Sequence, residues 1–387
     1  LNNGIINVSG GIGNSGMILK VSPSDNITNI GTINVSGPSN LGMRVDYGTV
    51  AAGGNGTPTA INTGTINVNG TSDLGIIANG FSTTALRATG TNSGIIQVAG
   101  TGSAGLFSIN GGNIINTATA TKQISVTGTN SIGMVVVDST STGTNSGIIN
   151  ITGNSSAGVY NVGTFTMTGG SITASTPSSV GVYAKTASNT NVNGGTVTVS
   201  GGSTALYSET GATIRLLNPT VINVNDKSLM FYRSGTGALS GTATGNINNG
   251  GTAFYITGGN TPNISSLVTT GNLALNMATG STLVGWDQPT GTLSLNALAG
   301  VLGTPAVTNT TMNDLSGGTY RYFVINKANV LVDRNTTLSG TGSQYFPRVN
   351  FVSSSIQVGS GFTVTGTGSN QIGIAQRNYT GSAGVGA

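Results

Sequence analysis

The chain has 387 residues, 64 of them Gly, with only 6% charged and 5% aromatic side chains and a net charge of +4. Having neither Cys nor His, it lacks a disulfide framework, a thiolate metal site, and the commonest general base, metal ligand and physiological-pH switch. Its 13 cations are scattered singly, which argues against the clustered basic face of a nucleic-acid binder.

Disorder is equally at odds with the composition, because Ile and Val recur in alternation while Pro is scarce at 9 residues. From the N-terminus, one pattern returns. Residues 2–17 read NNGIINVSGGIGNSGM, 29–43 read NIGTINVSGPSNLGM, and 62–76 read NTGTINVNGTSDLGI. Further copies stand at 92–106, 123–134 and 145–160, with weaker ones at 171–183, 196–207 and 221–232. A late copy, FTVTGTGSNQIGI, occupies 362–374. The consensus is N-x-G-x-I-x-V-x-G followed shortly by S-x-G and an aliphatic residue.

The second aliphatic of each copy falls at Val8, Val35, Val68, Val98, Val126, Ile151, Ala174, Val199 and Val224, with gaps of 23 to 33 residues. Within a copy the period is two: Ile33 and Val35 share one strand face, as do Met43 and Val45, against Arg44 and Asp46 on the other. Gly37 and Gly42 bracket the turn between those strands. Short strands of this kind close no core singly; stacking successive coils buries each aliphatic column and pairs each strand above and below. The expected fold is therefore all-β, a right-handed parallel β-helix of roughly 13–15 coils about 65 Å long.

The expected organisation is one solenoid over 1–387. Regular coils run through 1–259, degenerate coils or elaborated loops through 260–350, and coils resume over 351–387. Residues 319–334, TYRYFVINKANVLVDR, form the strongest hairpin or long-strand signal. Asn29, Asn62, Asn92 and Asn145 each stand two residues before a Gly at one corner. The column forms an amide ladder, or its members merely tolerate turn backbone angles; the sequence leaves both open. No apolar run reaches the roughly 18 residues of a membrane helix.

These motifs, in runs such as GTINVSGPSNLGM at 31–43 and NSGIINITG at 145–153, resemble the passenger regions of type V autotransporters. They are most similar to those of the large fusobacterial outer-membrane adhesins. The resemblance covers 1–232 and 351–374. It implies a cell-surface passenger that binds host-cell glycans or receptors, or partner bacteria. It also implies membrane attachment only through a C-terminal barrel, which these residues do not contain.

Catalytic chemistry finds little support. The alternative, a carbohydrate-active β-helix enzyme of the polysaccharide lyase or glycosidase kind, needs two carboxyl groups meeting across one sugar. The chain offers one Glu, Glu209, and eight Asp, mostly isolated; Asp226 and Asp287 are 61 residues apart. No phosphate loop or nucleophile elbow is present, so no enzyme activity, metal or cofactor is expected. The candidate ligand contacts are the aromatic and Arg groupings of the second half: Tyr232 and Arg233; Trp286 and Asp287; Tyr320, Arg321 and Tyr322 with Tyr345 and Arg348. Trp286, in GWDQPTG, reads as a loop ring on which a sugar packs. Tyr160, Tyr183 and Tyr207 recur in step with the coils and are expected to stack.

Overall fold

The computed structural model describes residues 1–20, 25–47, 57–81, 87–118, 121–217, 219–257, 264 and 266–287. Beyond these it describes 292–294, 307, 309–316, 321–326, 329–332, 336–339, 349–352, 355–358, 360–361 and 364–367. Among the described residues every element is a β-strand, and the strands pair in parallel as a stacked solenoid.

A coil of the first half has three strands, for example Asn26–Asn29, Thr32–Val35 and Leu41–Asp46. Their counterparts one coil later are Thr59–Asn62, Thr65–Val68 and Leu74–Asn79. The first two series form two flanks. The third forms a broad face of 13 strands.

The aliphatic columns stand where the repeat places them. Val8, Val35, Val68, Val98, Val126, Ile151, Ala174, Val199 and Val224 are successive register partners. All are buried. Ile33 and Val35 point inward while Thr32 and Asn34 are half-exposed. Met43 and Val45 likewise face the core. Gly37 has φ +97, as a tight turn requires of a residue without a Cβ. Gly42 serves a different need. A Cβ there would lie 2.6 Å from the Gly75 carbonyl oxygen, so the residue lets consecutive coils approach.

Two buried polar columns run through the corners. Asn2, Asn29, Asn62, Asn92, Asn116 and Asn145 form an amide ladder, each Nδ2 donating to the next Oδ1 at 2.7–3.0 Å. None of these residues has a positive φ, so they stand there for the ladder and not for a left-handed turn. Asn145 is in register with Met167, then Val192 and Leu216, so from there the column becomes apolar.

The Ser of S-x-G builds the second column. The backbone N–H groups of Asp73, Ser103, Ser131 and Ser156 each donate to the Ser Oγ of the following coil. The hydroxyls of Ser103, Ser131 and Ser156 donate back to Gly carbonyls of the preceding coil. A buried polar group is tolerable when it is bonded in this way.

At Ala238 the two flanks fuse. Strand Ala238–Ile247 pairs through its first half with Thr213–Leu216 and through its second half with Val221–Val224. The corner between the flanks is replaced by Gly241, φ +97, over which Gly271, φ +94, sits in strand Val268–Met277. Coils continue past 260, with Thr282–Asp287 and Arg321–Asn326 extending the broad face.

Within 319–334 the described residues form two strands that belong to different sheets. Arg321–Asn326 belongs to the broad face, while Asn329–Val332 pairs in parallel with Thr292–Ser294 and Ser355–Val358 in another sheet. Alternation cannot separate a hairpin from two successive sides of a coil, because both place two alternating runs in tandem. Of the late copy, Val364–Thr367 pairs with Thr336–Ser339; residues 362–363 and 368–374 lie outside the described residues.

Candidate functional site on the broad face

The broad face differs from the flanks in what it turns outward. The flanks show mostly Thr, Ser and Asn, as at Thr65 and Asn67, interspersed with half-exposed Ile61, Ile95, Ile115 and Ile148. On the broad face one column runs Arg44, Ile77, Phe107 and Val135 and then continues as tyrosines. Tyr160, Tyr183, Tyr207, Tyr232 and Tyr255 are successive register partners.

Their ring centroids lie 5.3, 4.3, 4.7 and 5.4 Å apart, and the central pairs are within 11° of parallel. That spacing is close to the strand repeat, so each inner ring has both faces covered by neighbours and turns an edge and a hydroxyl toward solvent. A sugar that packs on a free ring face finds none on the inner members of this column.

One polar cluster borders the stack. Lys185 and Glu209 each follow a stacked Tyr by two residues and so share its outward side. Glu209 accepts from Tyr183 Oη at 2.7 Å, from Lys185 Nζ at 2.7 Å, and from Thr186. Burial pushes the Glu209 carboxyl up, but the bonds from Lys185, Tyr183 and Thr186 outweigh it and hold the group below its ordinary value. The bond to Glu209 raises Lys185. Burial, with the Glu209 bond, raises Tyr183. Reading the sequence for aromatic spacing alone missed this cluster; the Y-x-K and Y-x-E pairs one coil apart were its visible signal.

The residues expected to contact a ligand are dispersed. Trp286 is not in a loop. It lies in strand Thr282–Asp287, in register with Ile256 and Ile325, and is fully buried. The inward side is set by Val284 two residues earlier, so the indole fills the core and presents no ring to a sugar.

Arg233 is also buried. Its Nε donates to the Gly235 carbonyl at 2.9 Å and its Nη1 to Ser266 Oγ at 2.9 Å, and burial lowers its pKa. Tyr232 stands inside the ring stack, and its hydroxyl lies 3.4 Å from Thr257 Oγ1. Asp287 is half-buried at its strand end. Arg321 and Tyr322 are neighbours on a broad-face strand. Tyr320, Tyr345 and Arg348 lie outside the described residues.

The carboxylates are engaged separately. Asp46 pairs with Arg44 at 2.8 Å. Asp73 is buried in the serine column, accepting from the backbone N–H groups of Asn40 and Gly70, and burial raises its pKa. Asp138 accepts from Thr140, Ser141 and the Asn110 N–H. Burial pushes it up, and those bonds together bring it below its ordinary value.

Asp226 precedes the strand Leu229–Ser234, whereas Asp287 is in register with the end of that strand, through Thr257. The two stand at opposite ends of the broad face, roughly 17 Å apart along the strand direction alone. Among the described residues no group of three or more acidic, His or Cys side chains is placed to hold a metal ion. No protein family, curated protein or solved structure matches the chain.

Proposed function

We propose that the chain is a structural and adhesive segment of a cell-surface autotransporter adhesin, a rod that carries attachment to host cells or partner bacteria away from the membrane. The observation that carries this reading is the continuity of the interior. Aliphatic columns run from coil to coil, and the buried Asn and Ser columns bond within themselves. Each coil then depends chiefly on its neighbours, an economical way to build reach. The likeness of the repeat to autotransporter passengers and the neutral hydroxylated flanks support the same reading.

The test is display. The 387-residue chain, fused to a heterologous outer-membrane barrel on a non-adherent bacterium, is expected to raise attachment to epithelial cells or to partner bacteria several-fold over the barrel alone. Attachment no greater than that of the barrel overturns the proposal. So does release of new reducing ends or unsaturated sugars from polysaccharides by the purified chain.

A further inference from the structure

The tyrosine stack carries a hydrogen bond that ring packing by itself does not require. Tyr183 and Tyr207 lie 4.3 Å apart and 11° from parallel, and Tyr207 and Tyr232 lie 4.7 Å and 9°. Tyr183 donates its hydroxyl proton to Glu209 Oε1 at 2.7 Å. That carboxylate belongs to the next coil, two residues after Tyr207. The stacking of coils therefore brings a phenol, a neighbouring ring and a base together. Tyr183 and Glu209 are both half-buried, near enough to the surface for an electron to leave.

Two conditions ease the oxidation of a phenol, and both meet at Tyr183. The first is a fixed base. A phenol that loses an electron becomes a strong acid, so a positioned proton acceptor lowers the barrier. The second is a parallel ring, whose negative π-face stabilises positive charge on its neighbour. Burial raises Glu209, but the bonds from Lys185, Tyr183 and Thr186 outweigh it, so the group is ionised near neutral pH and able to take a proton. Burial and the Glu209 bond raise Tyr183, so the phenol keeps its proton until the ring is oxidised.

We propose that the stack is a redox-active site, at which one-electron oxidants produce a neutral tyrosyl radical on Tyr183 with Glu209 as the proton acceptor. The oxidants are high-valent metal centres, such as the oxidised haem of a peroxidase or a ruthenium(III) complex. The oxidant gains one electron from the ring and is reduced by one unit. The Oη–H bond breaks, its proton passes to Glu209 Oε1, and a phenoxyl radical beside a carboxylic acid remains. A reductant that returns one electron sends the proton back to Oη. A hole formed on Tyr160, Tyr207, Tyr232 or Tyr255 moves between rings whose centroids are at most 5.4 Å apart. It comes to rest where its proton has a place to go.

The test oxidises the full chain with a photogenerated ruthenium(III) complex in the presence of a nitroso spin trap, and locates the adducts by peptide mass. The adduct is expected chiefly on Tyr183. Tyr183→Phe, which keeps a ring in the stack and removes the O–H, should lower the radical yield several-fold, whereas Tyr160→Phe should leave the Tyr183 adduct in place. Glu209→Gln keeps an acceptor oxygen but loses the base, and should slow radical formation by about tenfold or more. In that variant the rate should climb with buffer concentration, as buffer base takes over the proton. Circular dichroism checks that each variant retains β-structure. Adducts spread evenly over the tyrosines, or concentrated on Trp286, overturn the proposal. So does a Glu209→Gln rate equal to that of the parent, which would make the bond purely structural.

Discussion

At the residue scale, the corner asparagines show how one side chain can be visible in a sequence while its role is not. Their spacing before Gly is plain, but a ladder and a left-handed turn leave the same trace. The distinction lies in backbone angle and in the amide of the next coil, more than twenty residues away. Asn92 sits mid-ladder, accepting from Asn62 and donating to Asn116. Asn92→Ala leaves two buried amides each short of a partner, and should cost about 2–4 kcal/mol by urea denaturation. A loss below about 0.5 kcal/mol would show the ladder to be incidental.

Asp73 makes the opposite case, an ionisable group in a column otherwise built of Ser and Asn. Its folded pKa is raised by burial, so the folded state favours the protonated acid. That residue's contribution to stability therefore improves as pH falls through the raised folded value toward the ordinary 3.9 or so, and worsens above it. Asp73→Ser, which continues the column, should stabilise the chain by about 1–2 kcal/mol near neutral pH. The gain should shrink as pH falls to about 4. Glu209 and Asp138, held below their ordinary values, lose stability on acidification in both proteins, so the difference between variant and parent is the quantity to read. A difference independent of pH refutes the argument.

At the scale of elements, the fusion of the two flanks into the single strand Ala238–Ile247 is the main departure from the repeat. Among 64 glycines, Gly241 and Gly271 carry no mark in the sequence. Their role follows from stacking: a Cβ on Gly271 would collide with the backbone of Gly241, and φ of +94 disfavours any other residue. Gly271→Ala should cost about 2 kcal/mol or more, with hydrogen exchange accelerated in the strands on either side. Gly169→Ala, with open space around it and no positive φ, should be close to neutral. Equal effects at the two positions would remove the special role of the fused corner. Trp286 belongs to the same scale. Its Pro- and Gly-rich surroundings read as a loop, yet the strand that holds it runs to Asp287, and register with the coil before turned the ring inward.

At the scale of the whole molecule, the solenoid was legible because its core is written locally. A period of two sets which side chains turn inward, and a repeat of 23 to 33 residues sets which of them meet. With that information the columns through Val8, Val35, Val68 and their successors follow from the sequence alone, as does the tyrosine stack through Tyr160, Tyr183 and Tyr207. The outward chemistry of a coil needs more. Whether Tyr232 offers a face or an edge, whether Arg233 points in or out, and which side chain stands beside Ile77 or Phe107 all depend on which residues of other coils lie alongside. Periodicity determined the inside of this protein, because burial repeats with the chain. The tertiary structure decided its surface, because an outward side chain takes its meaning from neighbours that only the stacking of coils brings together.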